Sequence, residues 1–189
     1  MIRIAVVGDI GSGKSFISNL FKQPVFNADL EVVNIYKKNK SCFAKIKKKI
    51  PNYFSKFPLK KIDLINSIVA DKNNLKKISN IVHPIVRKRL NYFLKKNKNK
   101  KIVILDIPLY FENKLSKKGD IVVYIEAKKK QIFNQLKKRN NFNLSFVNQL
   151  RSLQYSLKYK KKKSDFIIKN DYKISTVKNN VKKILKKLK

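Results

Sequence analysis

The sequence has one cysteine, one histidine, no tryptophan, three glutamates and five arginines among 189 residues, and each scarcity excludes something. Cys42 alone forms neither an internal disulfide nor a multi-cysteine metal site, which fits a reducing compartment. His83 alone makes no metal site unaided. No run of about 18 or more apolar residues occurs, so no membrane-spanning helix is expected. A strand-like run, Ile2 to Val7, stands at the N-terminus without the basic segment and cleavage site of a signal peptide. The expected location is the cytoplasm, with no membrane partner. A hydrophobic fraction of 43% is enough for a real core, and the length suits a single domain spanning 1–189.

The abundance is in lysine. The net charge of +36 taken alone points to nucleic acid, because clustered Lys and Arg neutralise phosphates and release counterions. Of the 47 basic residues, however, 42 are Lys and 5 are Arg, whereas base and phosphate recognition favours the bidentate guanidinium. The lysines run from Lys14 to Lys189 without gathering into one stripe and travel with an excess of Asn and Ile. A compositional drift of the whole proteome accounts for them better than a specific nucleic-acid partner. The positive surface should still speed the arrival of small anions such as nucleotides.

Five short runs rich in Ile and Val read as strands, at Ile2 to Val7, Val25 to Ala28, Ile102 to Ile107, Ile121 to Ile125 and Phe166 to Ile168. Helical patterns alternate with them, at Lys14 to Phe21, across Leu30 to Leu94, at Lys128 to Lys138, at Phe146 to Tyr159 and at Val177 to Leu188. In the last, Val177, Val181, Ile184, Leu185 and Leu188 follow one helix face. Apolar strands separated by helices indicate an α/β fold with a parallel sheet covered on both sides. Two insertions break the alternation, one helical at about 30–101 and one basic and polar at about 139–164. Pro84 is expected to bend or divide the helix that carries Leu75, Ile78, Val82, Ile85, Val86, Leu90 and Phe93.

Gly8-Asp9-Ile10-Gly11-Ser12-Gly13-Lys14-Ser15 satisfies G-x-x-x-x-G-K-[ST] and lies between a strand and a helix, the context this phosphate-binding loop requires. Backbone N–H groups from Gly8, Gly11, Ser12 and Gly13 through Lys14, Ser15 and Phe16 would wrap the phosphates of ATP. Lys14 would reach the β- and γ-phosphates, and the Ser15 hydroxyl would bind Mg²⁺. Asp29, which closes the second strand, reads either as the base that takes the proton of an attacking hydroxyl or as a helix N-cap. Asp106 at the end of the third strand reads as a Mg²⁺ contact or a plain strand-end turn. Glu112 and Pro108 stand just beyond it. Arg139, Arg151 and Lys160 are basic residues of the second insertion, a kind of segment that closes over phosphates in kinases. A lone histidine such as His83 is more often structural than catalytic.

Taken in order, these segments resemble the dephospho-coenzyme A kinases, a family of P-loop kinases. The resemblance rests on Gly8 to Ser15, Asn27-Ala28-Asp29, Ile81-Val82-His83-Pro84-Ile85, and Leu105-Asp106-Ile107-Pro108-Leu109-Tyr110-Phe111-Glu112. Gln154, Lys160 and Ser164 to Asn170 complete it. It implies a three-layer P-loop NTPase fold with a five-stranded parallel sheet, a helical coenzyme-binding insertion and a lid. It also implies transfer of the ATP γ-phosphate to the ribose 3′-hydroxyl of dephospho-coenzyme A, with a nucleoside or nucleotide kinase of the same fold as the alternative. Asp29, Lys14 and Arg139 become catalytic by this resemblance, His83, Pro108 and Glu112 join Asp29 in binding the substrate, and Ser15 and Asp106 hold the metal. A monomer or weak oligomer is expected. The chain departs from the pattern at Asn27, Asp9, Phe16 and Gln135, where the resemblance leads one to expect Asp, Gly, a small hydroxyl residue and Arg.

Overall fold

The structure, a computed structural model, describes residues 1–140 and 142–188. Each β-rich run closes on its neighbours as a parallel strand: β1 (Ile2–Gly8), β2 (Val25–Asn27), β3 (Ile102–Asp106), β4 (Ile121–Glu126) and β5 (Phe166–Lys169) pair in the order β2-β3-β1-β4-β5. Helices occupy the connections: α1 (Lys14–Leu20), α2 (Ala28–Lys38), α3 (Lys40–Lys49), α4 (Lys61–Ala70), α5 (Lys72–Lys96), α6 (Lys129–Lys137), α7 (Leu144–Ser152), α8 (Leu157–Lys162) and α9 (Ile174–Lys187). The expected α/β class and five-stranded parallel sheet are both present.

The central strands β1, β3 and β4 are mostly apolar because both their faces are covered, whereas the edge strand β5 leaves Ile167 and Lys169 exposed. Ile4, Val6, Ile104, Val123, Ile125 and Ile168 pack against Ile17 of α1, Phe21 just after it, and Val177, Val181 and Ile184 of α9. The alternate residues Ala5, Val7, Val103, Leu105, Val122 and Tyr124 are buried as well, as a doubly covered sheet requires. Arg3 on β1 is buried only because its charge is matched: Nε lies 3.0 Å from Asp120 Oδ1, and the Tyr110 hydroxyl donates to the other carboxylate oxygen.

The chain divides into two compact units, one formed by 1–27, 96–142 and 151–189, the other by 28–95 and 143–150. The second has its own core, in which Ile35, Cys42, Ile46, Phe54, Ile68, Ile78 and Val82 meet. Glu31 of α2 accepts from Arg89 of α5 at 2.6 Å across it. Among the described residues no helix is long and apolar enough to cross a membrane.

Three local expectations are corrected. Of the bend or division expected at Pro84, division does not occur, and α5 runs unbroken from Lys72 to Lys96 with the proline inside it. Both Pro84 and Asn80, whose carbonyl loses its donor, lie on the exposed stripe of the helix, while Leu75, Ile78 and Val82 before the proline and Ile85 and Val86 after it hold both halves to the core. The helix expected over Phe146 to Tyr159 is two helices, α7 and α8. The Tyr155 N–H donates to the Glu112 carboxylate at 2.7 Å instead of continuing the helix, and the Ser156 hydroxyl then caps α8 by accepting from the Tyr159 N–H. The second strand stops at Asn27, so Asp29 is the second residue of α2 and not a strand end.

Candidate active site

The phosphate loop leaves the carboxyl end of β1, between β3 and β4, where the strand order reverses and where open α/β sheets bind ligands. The loop's shape depends on glycine. Gly13 has φ +90°, and a Cβ there would lie 2.4 Å from Asn170 Nδ2. Only a residue without a side chain allows both that left-handed backbone and that approach. Asn170 uses the same amide to donate to the Ser12 carbonyl at 2.8 Å, and the Tyr172 hydroxyl donates to the Gly11 carbonyl at 2.8 Å. The segment after β5 therefore braces the loop from behind. Motif reading had passed over Tyr172 and its brace, because that contact joins residues at opposite ends of the chain.

Lys14 is buried, and its ammonium donates to the backbone carbonyls of Asp9 (2.7 Å) and Gly8 (3.3 Å), which stations the positive charge at the mouth of the loop. Ser12 is wholly buried and its Oγ has no hydrogen-bond partner. Phe16 is half exposed on α1.

Ser15 and Asp106 come together through Asn27. In-register pairing places Asn27 opposite Asp106, and its Nδ2 donates to Asp106 Oδ2 at 2.6 Å and to Ser15 Oγ at 3.2 Å. A hydroxyl and a carboxylate thus converge beside the loop, an all-oxygen donor pair suited to a hard cation such as Mg²⁺. Asn27, one of the departures from the family pattern, is the side chain that joins them, and no spacing in the sequence marks that role.

Pro108 and Glu112 are gathered by Lys160, which is completely buried. Its ammonium donates to the Pro108 carbonyl (3.0 Å), to Gln154 Oε1 (2.8 Å) and to Glu112 Oε1 (2.9 Å). Glu112 Oε2 is buried without a hydrogen-bond partner. Arg139 lies exposed in the turn after α6, near enough to Tyr172 for its charge to act on the phenol. A cleft of about 480 Å³ opens beside Tyr172, lined by Gln131, Gln135 and Lys138 among others. Among the described residues no cluster of three His, Cys, Asp or Glu side chains forms a metal cage.

Asp29 and His83 belong to the helical unit. Asp29 is exposed in the first turn of α2, where a carboxylate complements the helix dipole. His83 is half-buried on α5, and burial first, then the Arg87 charge, lowers its pKa below the usual value. The histidine is therefore neutral near pH 7. As pH falls through about 6.5, the unfolded chain binds a proton that the folded chain resists, so stability declines toward acid. Urea unfolding between pH 7 and 5 should show that decline, and His83→Gln should flatten it.

A family model described as dephospho-CoA kinase matches residues 2–176. The chain is 32% identical to a dephospho-CoA kinase of Wolbachia pipientis wMel over 190 residues, covering 98% of this chain and 97% of that one. It is 31% identical to a dephospho-CoA kinase of Bacillus cereus, covering 97% and 96%. Among solved structures, the fold superposes on a dephospho-CoA kinase from Campylobacter jejuni with a TM-score of 0.60 at 22% identity, over 98% of this chain and 96% of that one.

Proposed function

The chain belongs to the dephospho-CoA kinase family, and from that premise we propose that it transfers the γ-phosphate of ATP to the 3′-hydroxyl of dephospho-coenzyme A, the last step of coenzyme A synthesis. The observation that carries this reading is the braced phosphate loop with Lys14 at its mouth and Ser15 and Asp106 converging beside it. The nucleoside or nucleotide kinase alternative is not favoured, because the family match covers nearly the whole chain.

The roles follow from chemistry. The loop N–H groups and Lys14 bind and orient the polyphosphate, which places the γ-phosphorus for attack. Ser15 and Asp106 are the residues that would hold Mg²⁺, and the ion, when bound, neutralises charge on the transferring phosphate. Asp29 accepts the proton of the attacking hydroxyl, since phosphoryl transfer leaves the protein mainly positioning, electrostatics and that one proton to manage. The helical segment 30–101, with His83, receives the coenzyme, and Pro108 and Glu112 bound the acceptor side. The segment 139–164 acts as a lid with Arg139 as a cation for the phosphates. The polar cleft beside Tyr172, next to the loop and supplied with Gln131 and Gln135 amides, is the place for the adenine of ATP. The enzyme works in the cytoplasm.

Purified protein offered dephospho-coenzyme A, AMP, CMP and dTMP separately should release ADP with the first alone. ADP release only with a nucleoside monophosphate would overturn the assignment of the acceptor.

A further inference from the structure

Asp9 puts a negative charge inside a loop built to hold anions. The structure shows what meets that charge. Arg151 grips the Asp9 carboxylate with both arms of its guanidinium, Nε to Oδ1 at 3.0 Å and the terminal nitrogen to Oδ2 at 3.0 Å. Asp9 Oδ1 also accepts from the Ile10 N–H at 2.7 Å, so the carboxylate is fixed in orientation. Its side chain is only 13% exposed, against 36% for Arg151. The pair lines a cleft of about 500 Å³ with Lys129 and Phe133, so it faces space open to an arriving ligand. The backbone carbonyl of the same Asp9 accepts from Lys14 Nζ, so the loop's own cation and the paired carboxylate belong to one residue's surroundings.

Resting on the ATP-binding reading of the phosphate loop, we propose that Arg151 is a positioning residue for the nucleotide: its fork cancels the Asp9 charge, so that the loop presents Lys14 and its N–H groups without an opposing carboxylate. A polyphosphate approaching an uncompensated Asp9 would meet repulsion at short range in a partly desolvated cleft, where Coulomb interactions outweigh their strength in bulk water. A bidentate guanidinium is suited to the task because it both neutralises the carboxylate and holds its plane, which an ammonium does not. The alternative role for Arg151, direct grip of the phosphates, would need it to abandon Asp9 when ATP binds.

A double-mutant cycle with ATP titrated calorimetrically separates these roles. Arg151→Met should weaken ATP binding about tenfold, with the KM for dephospho-coenzyme A little changed. Asp9→Asn, which keeps the shape of the side chain and removes its charge, should bind ATP at least as tightly as the wild type. The Asp9→Asn/Arg151→Met double variant should return to within about threefold of the wild type, the loss in Arg151→Met being one of charge and not of contact. A double variant as weak as Arg151→Met would overturn the proposal, as would undiminished binding by Arg151→Met. Asp9→Asn alone decides it if Arg151→Met fails to fold, because weaker ATP binding by that variant would contradict charge cancellation. A wild-type protein that binds no ATP would overturn the nucleotide reading itself, and the Arg151 role with it.

Discussion

Replacing Asp29 by Asn is expected to lower kcat by about 10²- to 10⁴-fold while ATP affinity stays near that of the wild type, the range that loss of a general base typically produces. Asp29 is exposed, and it stands inside the first turn of α2, not at the residue before the helix where a cap would sit. A carboxylate in a helix's first turn adds about 0.3–1 kcal/mol through the dipole, and Glu31 shares that turn. The amide of Asn keeps the shape but is a poor proton acceptor, so the loss should fall on turnover. Initial rates at saturating ATP and dephospho-coenzyme A measure it. Unchanged turnover with only a small fall in melting temperature would assign Asp29 to the helix alone.

The largest effect on stability is expected at Lys160. Lys160→Met removes the cation from a completely buried site and leaves the Glu112 carboxylate, whose side chain is 9% exposed, accepting from the Tyr155 N–H but without its counter-charge. Breaking a buried pair on one side typically costs about 3–5 kcal/mol, because the remaining charge stays out of water uncompensated. For a chain of this size that lowers the melting temperature by on the order of 10 °C. Removing both charges, in Lys160→Met/Glu112→Leu, should recover much of the loss, since an apolar pair of similar volume needs no compensation. Thermal unfolding of the three variants tests the pair. A single variant that melts with the wild type would show that solvent reaches Glu112.

The same pair shows why lysine was hard to read from sequence. With 42 lysines in the chain, no one of them stands out by type. Among the described residues Lys14 and Lys160 are the two that are buried, and only Lys14 sits in a motif. Lys160 was legible as one member of a family resemblance and as part of a basic run, whose ordinary reading is a solvated face. Its task follows from the turn at 108–114 and the break between α7 and α8, which bring Pro108, Glu112 and Gln154 around one ammonium. The break was misread for a related reason: the Tyr155 N–H is taken by a carboxylate 43 residues earlier, a competitor that local helical periodicity does not register.

By itself the sequence determined the elements whose cause is local. Alternating β-branched runs and helical faces specified five parallel strands and their covering helices, and the glycine spacing from Gly8 to Gly13 specified the phosphate loop, because backbone conformation and side-chain period act over a few residues. Only the tertiary structure decided which side chains meet: Asn27 between Ser15 and Asp106, Arg151 on Asp9, Asn170 and Tyr172 behind the loop, Lys160 within its carbonyl and carboxylate ring. Those meetings join residues far apart in the chain, fixed by strand register and by the paths of loops, and the strength of each charge depends on burial that no single position reveals.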